Sequence, residues 1–334
     1  MLFGLLAIAF MFYKFDISWA KVQIAILGAG YYLPAMIGVW FFVYACNATA
    51  FQIIVNTTSS AQVLNAEAET ERPDKLGFWR SYKLTVSGFA FSYTTPFGFG
   101  GLPYRIMELT NYVGKNRALA STVLYSTMHI LSHFCLWTLA AVLLILFYTE
   151  KIDFWMGSVL ALYFFVLAVV VYFFFAGYRN GMVLNVLAFL QKIPFLKRHA
   201  NRLYEAKRAS LEQMDINISY LHSRPKAFYS SLFFDAIGRV INAFEFYFIL
   251  LAIKVDVTFI DAILVLAFSS LMGNLLFFLP MQLGAREGGL AASLAILGKG
   301  VADGFMTGIF TRIRELFWIC IGVLLVKIGN KNKQ

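Results

Sequence analysis

Charge is scarce in this chain. Only 14% of its 334 residues are Asp, Glu, Lys or Arg, against about 25% in an ordinary soluble protein, and no separate soluble domain is expected. Cysteine is scarcer still: Cys46, Cys135 and Cys320 all sit inside apolar runs. Thiols so placed behave as buried apolar side chains, which excludes a disulfide framework. No basic segment and A-x-A-like site open the chain, so Met1–Tyr13 does not read as a cleavable signal. At about 1.5 Å per residue it is also too short to span a bilayer and reads as an incomplete helix. Gly298–Gly300 is not a phosphate loop, because G-x-x-x-x-G-K lacks its upstream glycine here. No nucleophile–base pair stands at a recognisable spacing. Neither a nucleotide-driven motor nor an enzyme is expected, and no cofactor.

What remains is apolar: 60% of the residues are hydrophobic. The chain therefore reads as an all-α polytopic membrane protein with about six to eight transmembrane helices, organised as one integral membrane domain over residues 1–334. Full spans are expected at Leu33–Val55, Ala118–Phe147, Phe154–Gly177, Phe228–Leu251 and Gly304–Ile328. A first half (1–177) and a second half (228–334) flank a basic linker (178–227). Eighteen lysines and arginines fall on one set of loops, the linker and the C-terminal tail, and five on the opposite set. The richer side is expected to be cytoplasmic.

Two stretches interrupt this pattern. Pro280–Gly298 carries Gly284, the adjacent Arg286 and Glu287, and the pair Gly288–Gly289. Pro96–Gly114 carries Gly98, Gly100, Gly101, Arg105 and Glu108. Proline to final glycine is 18 positions in both. Such a backbone bends where no lipid touches it, which predicts two re-entrant helical hairpins, within 84–114 and 259–298. With opposite entry sides they would form an inverted repeat. Two complete crossings at each place would satisfy the loop charges equally well.

The cations placed at membrane depth are all arginine: Arg105, Arg239, Arg286, Arg312 and Arg314. A guanidinium stays charged and offers paired donors to phosphate or carboxylate. These arginines either pair with Glu108, Asp235, Glu245, Glu287 and Glu315 or line a pocket with them, and the pocket is favoured because so many internal ion pairs are a costly route to stability alone. Asp235, Arg239, Asn242 and Glu245 recur at helical intervals on one face. Arg312 and Glu315 are i, i+3 partners, whereas Arg314 points elsewhere, towards the headgroups. His129 and His133 share a face, but without an H-E-x-x-H pattern they read as interhelical hydrogen-bonding groups and no metal site is expected. Lys197–Met214 reads as a basic amphipathic helix or as a solvated connector.

From Leu33 to Lys327 the chain resembles the lysylphosphatidylglycerol synthase transmembrane-region family of flippase-like proteins. The resemblance rests on Pro280, Gly284, Glu287 and Gly298, on Pro96, Gly98, Arg105 and Gly114, and on Arg239, Glu245 and Arg312. The chain departs from the family pattern at Gly100–Pro103 and at Ala285–Arg286. The resemblance implies a bacterial inner-membrane protein that moves or binds polar lipids; the loop charges place the linker and C-terminus in the cytoplasm. Larger members carry an aminoacyl-transferring domain, of which nothing is visible here. The headgroup pocket is expected at Arg105, Glu108, Arg239, Glu245, Arg286, Glu287, Arg312 and Glu315. The expected partners are membrane lipids with an anionic or aminoacylated headgroup, and no nucleic acid. The other readings are a scaffold for a lipid-modifying enzyme, and an ion or small-solute transporter.

Overall fold

Apolar runs of unequal length become helices of two kinds in the structure, a computed structural model. It describes residues 19–58, 75–95, 100–180, 225–276 and 284–330, with 188, 191–192, 201, 204–205 and 282 besides. The helices, in chain order, are α1 (Trp19–Gly28), α2 (Tyr32–Thr57), α3 (Phe78–Thr94), α4 (Gly101–Val113), α5 (Lys115–Phe147), α6 (Phe154–Asn180), α7 (Pro225–Ala252), α8 (Phe259–Leu275), α9 (Ala285–Ile296) and α10 (Val301–Asn330). Among the described residues there is no strand, and the expected all-α fold is what the chain adopts. Met1–Tyr13, Pro96, Gly98, Pro280 and most of Lys197–Met214 lie outside the described residues.

α2 and α7 form the central pair, the most extensive helix contact among the described residues. Lipid chains are as apolar as leucine, so helices associate in a membrane by close backbone approach and by polar links. Both are present. Gly238 faces Cys46 and Asn47, where a Cβ would lie 3.1 Å and 3.2 Å from their side chains. The hydroxyl of Ser231 donates to the Ala50 carbonyl at 2.8 Å, and that of Ser81 on α3 donates to Ala48 at 2.6 Å. Each such link contributes roughly 0.6 kcal/mol in a membrane interior.

α3 and α4 fold back on each other, as do α8 and α9. The contacts run antiparallel: Gly101 lies against Gly88 and Ser92, and Gly289 against Ser269 and Met272. These helices hold 17 and 13 residues, and 17 and 12, each fewer than the ~20 a span requires. Each hairpin ends on a glycine in the left-handed region, Gly114 (φ 84°) and Gly298 (φ 77°). A side chain there would meet its own carbonyl, and from each glycine the chain turns towards a long helix, α5 or α10. α8 begins with a capping box, in which Asp261 N–H donates to Thr258 Oγ1 at 3.2 Å and Thr258 N–H to Asp261 Oδ2 at 2.8 Å.

Several of the helix contacts come in corresponding pairs. α3 lies on α10, while α8 lies on α5; α2 touches α3, while α7 touches α8. Exchanging α2–α5 with α7–α10 exchanges these contacts and leaves the α2–α7 pair in place. α6 stands outside this arrangement: no residue of Phe154–Tyr172 is buried, and Tyr163 joins it to α5 by a 2.8 Å bond with Thr138.

Three helices among the described residues are long and apolar enough to cross a membrane, at Tyr32–Thr57, Arg117–Phe147 and Phe154–Tyr172. α7 and α10, of 28 and 30 residues, have the length but carry interior charges. Two expectations are corrected. Cys135 and Cys320 are exposed on outer helix faces, because a membrane helix is apolar on its lipid side as well as its protein side. Arg117, counted with the loop cations, is buried and donates twice to the Val55 carbonyl, at 3.1 Å and 3.0 Å. It thereby satisfies an orphan acceptor of the last turn of α2.

Candidate functional site

Between the two hairpins and the α2–α7 pair lies a cavity of about 380 Å³. Three of its wall residues are arginines, one from each of three helices: Arg105 of α4, Arg239 of α7 and Arg286 of α9. Their surroundings differ.

Arg239 is held from α5. Its Nε donates to Ser132 Oγ at 2.6 Å and its NH2 to the His129 carbonyl at 2.9 Å. Asp235, one turn earlier on α7, is fully buried and lies 3.6 Å from the guanidinium. That carboxylate also accepts from Tyr125 at 3.3 Å, from Ser132, and from His129 Nδ1 at 2.9 Å. His133 bonds Ser270 of α8 at 3.0 Å. Both histidines therefore serve as interhelical hydrogen-bonding groups.

Arg286 donates to Tyr93 on α3 at 3.2 Å and pairs with Glu315 on α10. From there an ion-pair chain runs away from the cavity. Glu315 accepts from Arg312 at 2.8 Å, and Arg312 donates to Glu287 at 2.7 Å. Glu287 also caps α9, accepting from the Gly284 N–H at 2.8 Å. Gly284 has φ 84°, a conformation that lets the turn present its N–H to this carboxylate. Arg314 closes the chain. It is fully buried, 2.8 Å from Glu245, and stacks 3.9 Å above the Trp40 ring. Trp40 donates to the other oxygen of Glu245 at 2.6 Å. The expectation that Arg314 faces the headgroups is corrected: Glu245 on α7 and Trp40 on α2 draw it inward, and burial is cheaper with that pair than without it.

Arg105 has no such partner. Its Nε is buried without a hydrogen bond. Its NH2 reaches the Thr85 carbonyl only at 3.5 Å, and its guanidinium lies 5.6 Å from the centre of the Tyr125 ring. Glu108, one turn on, bonds Tyr112 at 3.4 Å and does not line the cavity. In this interior network five arginines thus meet four carboxylates, Asp235, Glu245, Glu287 and Glu315. Among the described residues, Arg105 is the arginine of the cavity wall without a carboxylate partner.

Of the eight residues expected at the pocket, Arg105, Arg239 and Arg286 line the cavity. Glu245, Glu287, Arg312 and Glu315 form the network behind it, and Glu108 stands apart. No aspartate, glutamate or lysine lines the cavity among the described residues. The wall is completed by neutral polar groups, including Asn47, Tyr93, Asn242, Asn274 and Gln282. Gln282 has φ 53°, an uncommon backbone state for a residue with a side chain and one that clusters at functional sites. Sequence reasoning passed over Tyr93 and Gln282. Their signal was position, three residues before Pro96 and two before Gly284. Gly288, read as a hinge, has open space around it.

Among the described residues, no group of three or more His, Cys, Asp and Glu side chains is placed to hold a metal ion. No curated protein and no solved structure matches the chain. A family model does match, across residues 1–322, which takes in both hairpins, the linker and most of α10: the chain belongs to the lysylphosphatidylglycerol synthase TM region family of membrane proteins.

Proposed function

We propose that the protein binds and translocates a polar lipid whose anionic headgroup enters the cavity at Arg105, Arg239 and Arg286. The observation that carries this reading is Arg105. A guanidinium at membrane depth without a carboxylate is costly, and a phosphate would supply the missing charge with two-pronged geometry. Family membership supports a lipid-related role in the membrane. The short hairpin helices, their meeting at Tyr93 and Arg286, and the exchange relation between the two halves support a re-entrant inverted repeat. In that plan the site opens to alternate sides as one half rocks on the other. The basic linker and tail favour a cytoplasmic placement of both, in a bacterial inner membrane.

The test is lipid translocation in proteoliposomes holding a fluorescent anionic phospholipid. Wild-type protein should move it across the bilayer faster than empty vesicles do. Arg105→Gln and Arg286→Ala should lower the rate at least about tenfold, the factor that corresponds to losing one charge-assisted contact. Equal rates in wild type, both variants and empty vesicles would overturn the reading. A lipid-modifying enzyme that co-purifies in their place would favour a scaffold.

A further inference from the structure

His129 uses one of its two ring nitrogens in the fold and leaves the other over. Its Nδ1 lies 3.1 Å and 2.9 Å from the two oxygens of Asp235. An ionised carboxylate only accepts, so Nδ1 carries the hydrogen and the lone pair is at Nε2. Nε2 has no hydrogen-bond partner among the described residues, and it is not enclosed. The ring stands in the cavity wall with 38% of the side chain exposed.

The fully buried Asp235 does not need this histidine for its own satisfaction. Tyr125 and Ser132 also donate to it, and Arg239 lies 3.6 Å away as its counter-charge. What the pair provides is an imidazole in one tautomer with a buried carboxylate behind it. That arrangement lets Nε2 accept a proton and stabilises the imidazolium that results. Carboxylate and histidine side chains inside a membrane domain are the parts of which proton relays are made. His133, one turn on, is held by the neutral Ser270 hydroxyl and has no carboxylate behind it.

The charged and titratable groups around His129 come from several helices. α7 supplies Asp235 and Arg239; α5 itself supplies Tyr125 and His133, each ring 5.6 Å from that of His129. Arg105 of α4 faces the Tyr125 ring, and Cys46 of α2 lies within electrostatic reach of Asp235. α8 brings only neutral groups to the wall, and Arg286, Tyr44 and Tyr93 stand elsewhere around the cavity. A positive charge on His129 is therefore opposed by Arg105, which has no carboxylate, and by Arg239. An anion entering beside these arginines cancels that repulsion and attracts the imidazolium, most strongly where water is sparse. The coupling is reciprocal: the anion raises the affinity for the proton by the factor by which the proton raises the affinity for the anion.

Resting on the anionic-lipid reading, we propose that His129 is a proton site and that the protein moves its anion together with a proton. The proton adds to the Nε2 lone pair as the anion enters, while Nδ1–H stays on Asp235. It leaves Nε2 again when the anion departs on the other side. A proton gradient across the membrane then drives the lipid.

The test is calorimetric titration of the purified full-length chain in neutral detergent with dihexanoyl phosphatidylglycerol. Its phosphodiester stays ionised at every pH used, so any proton taken up is taken up by the protein. Titrations in buffers of different ionisation enthalpy count those protons. Wild type should take up a clear fraction of one proton per lipid bound. Its affinity should fall as the pH rises from about 5 to about 8, by up to about tenfold per pH unit. His129→Asn keeps an N–H for Asp235 but has nothing to protonate, so uptake and pH dependence should both disappear. In proteoliposomes an imposed pH gradient should speed wild-type lipid movement towards the alkaline side about threefold or more. Equal rates with and without the gradient would overturn the coupled movement. Lipid binding without proton uptake in wild type, a result independent of how the variant folds, would sink the proton site and leave the anion site standing. Uptake that persists in His129→Asn would take the proton away from His129. Absence of lipid binding at every pH would instead overturn the anionic-lipid reading, and the coupling with it.

Discussion

Arg286 donates to the hydroxyl of Tyr93 across 3.2 Å, joining two hairpins whose contacting residues lie 193 positions apart in the chain. It is a direct side-chain bond between the broken segments, at the edge of the cavity. Tyr93→Phe removes the acceptor and leaves the ring. The loss should be that of one hydrogen bond to a charged group, about 1.5–3 kcal/mol, read as a lowered unfolding midpoint in a denaturant titration of detergent-solubilised protein. An unchanged midpoint would mean that the hairpins are held together without it.

Arg105 and Arg312 should respond in opposite ways to the loss of their charge. Arg312 is paired with both Glu287 and Glu315; Arg312→Ala leaves the buried Glu287 without its cation, while Glu315 keeps Arg286, and should destabilise by about 3–5 kcal/mol. Arg105 has no acid to strand. Arg105→Gln should leave stability unchanged or raised, while anionic-lipid binding falls about tenfold or more. Thermal unfolding together with lipid binding on the same samples separates the two effects.

Arg314 and Glu245 are both fully buried and bonded at 2.8 Å. Arg314→Met and Glu245→Gln should each be strongly destabilising: the first leaves Glu245 without a cation, and the second leaves Arg314 only the 3.8 Å contact with Glu315. The double variant should be less damaging than the sum of the two, because the desolvation cost disappears along with the attraction. A double-mutant cycle on unfolding free energy measures this, and strict additivity would show that the pair is not coupled.

Gly101 admits no side chain. A Cβ there would press on Ser92 Oγ and lie 2.5 Å from the Gly88 carbonyl oxygen. Gly101→Val should therefore force α3 and α4 apart, lowering expression and the unfolding temperature. Gly114→Ala tests a different cause. Space is open there, and the positive φ alone should cost about 1 kcal/mol. If Gly101→Val were no more harmful than Gly114→Ala, the close packing of the first hairpin would be wrong.

Much of the architecture was legible in the chain. The apolar runs gave the long helices nearly to the residue, since Leu33–Val55 became Tyr32–Thr57 and Ala118–Phe147 became Lys115–Phe147. The arginines marked the interior. The exposed Cys135 and Cys320 show where such reading stops. In a membrane helix, hydrophobicity reports contact with lipid and with protein alike, so it cannot orient a face.

Pairing was the other limit. Arg286 and Glu287 are neighbours in sequence, yet Arg286 bonds Glu315 and Glu287 bonds Arg312. Adjacent residues on a helix point about 100° apart, and their true partners arrive from α10. Arg105 and Glu108, three apart, do not pair at all. By itself the sequence determined which residues must be buried with their charge, because arginine, glutamate and aspartate stand inside apolar segments. Only the tertiary structure decided which arginine of the cavity wall stays unmatched. That outcome depends on which helices carry their acids towards which arginines, and it leaves Arg105, in the turn-broken segment from Pro96 to Gly114, facing the cavity without a carboxylate partner.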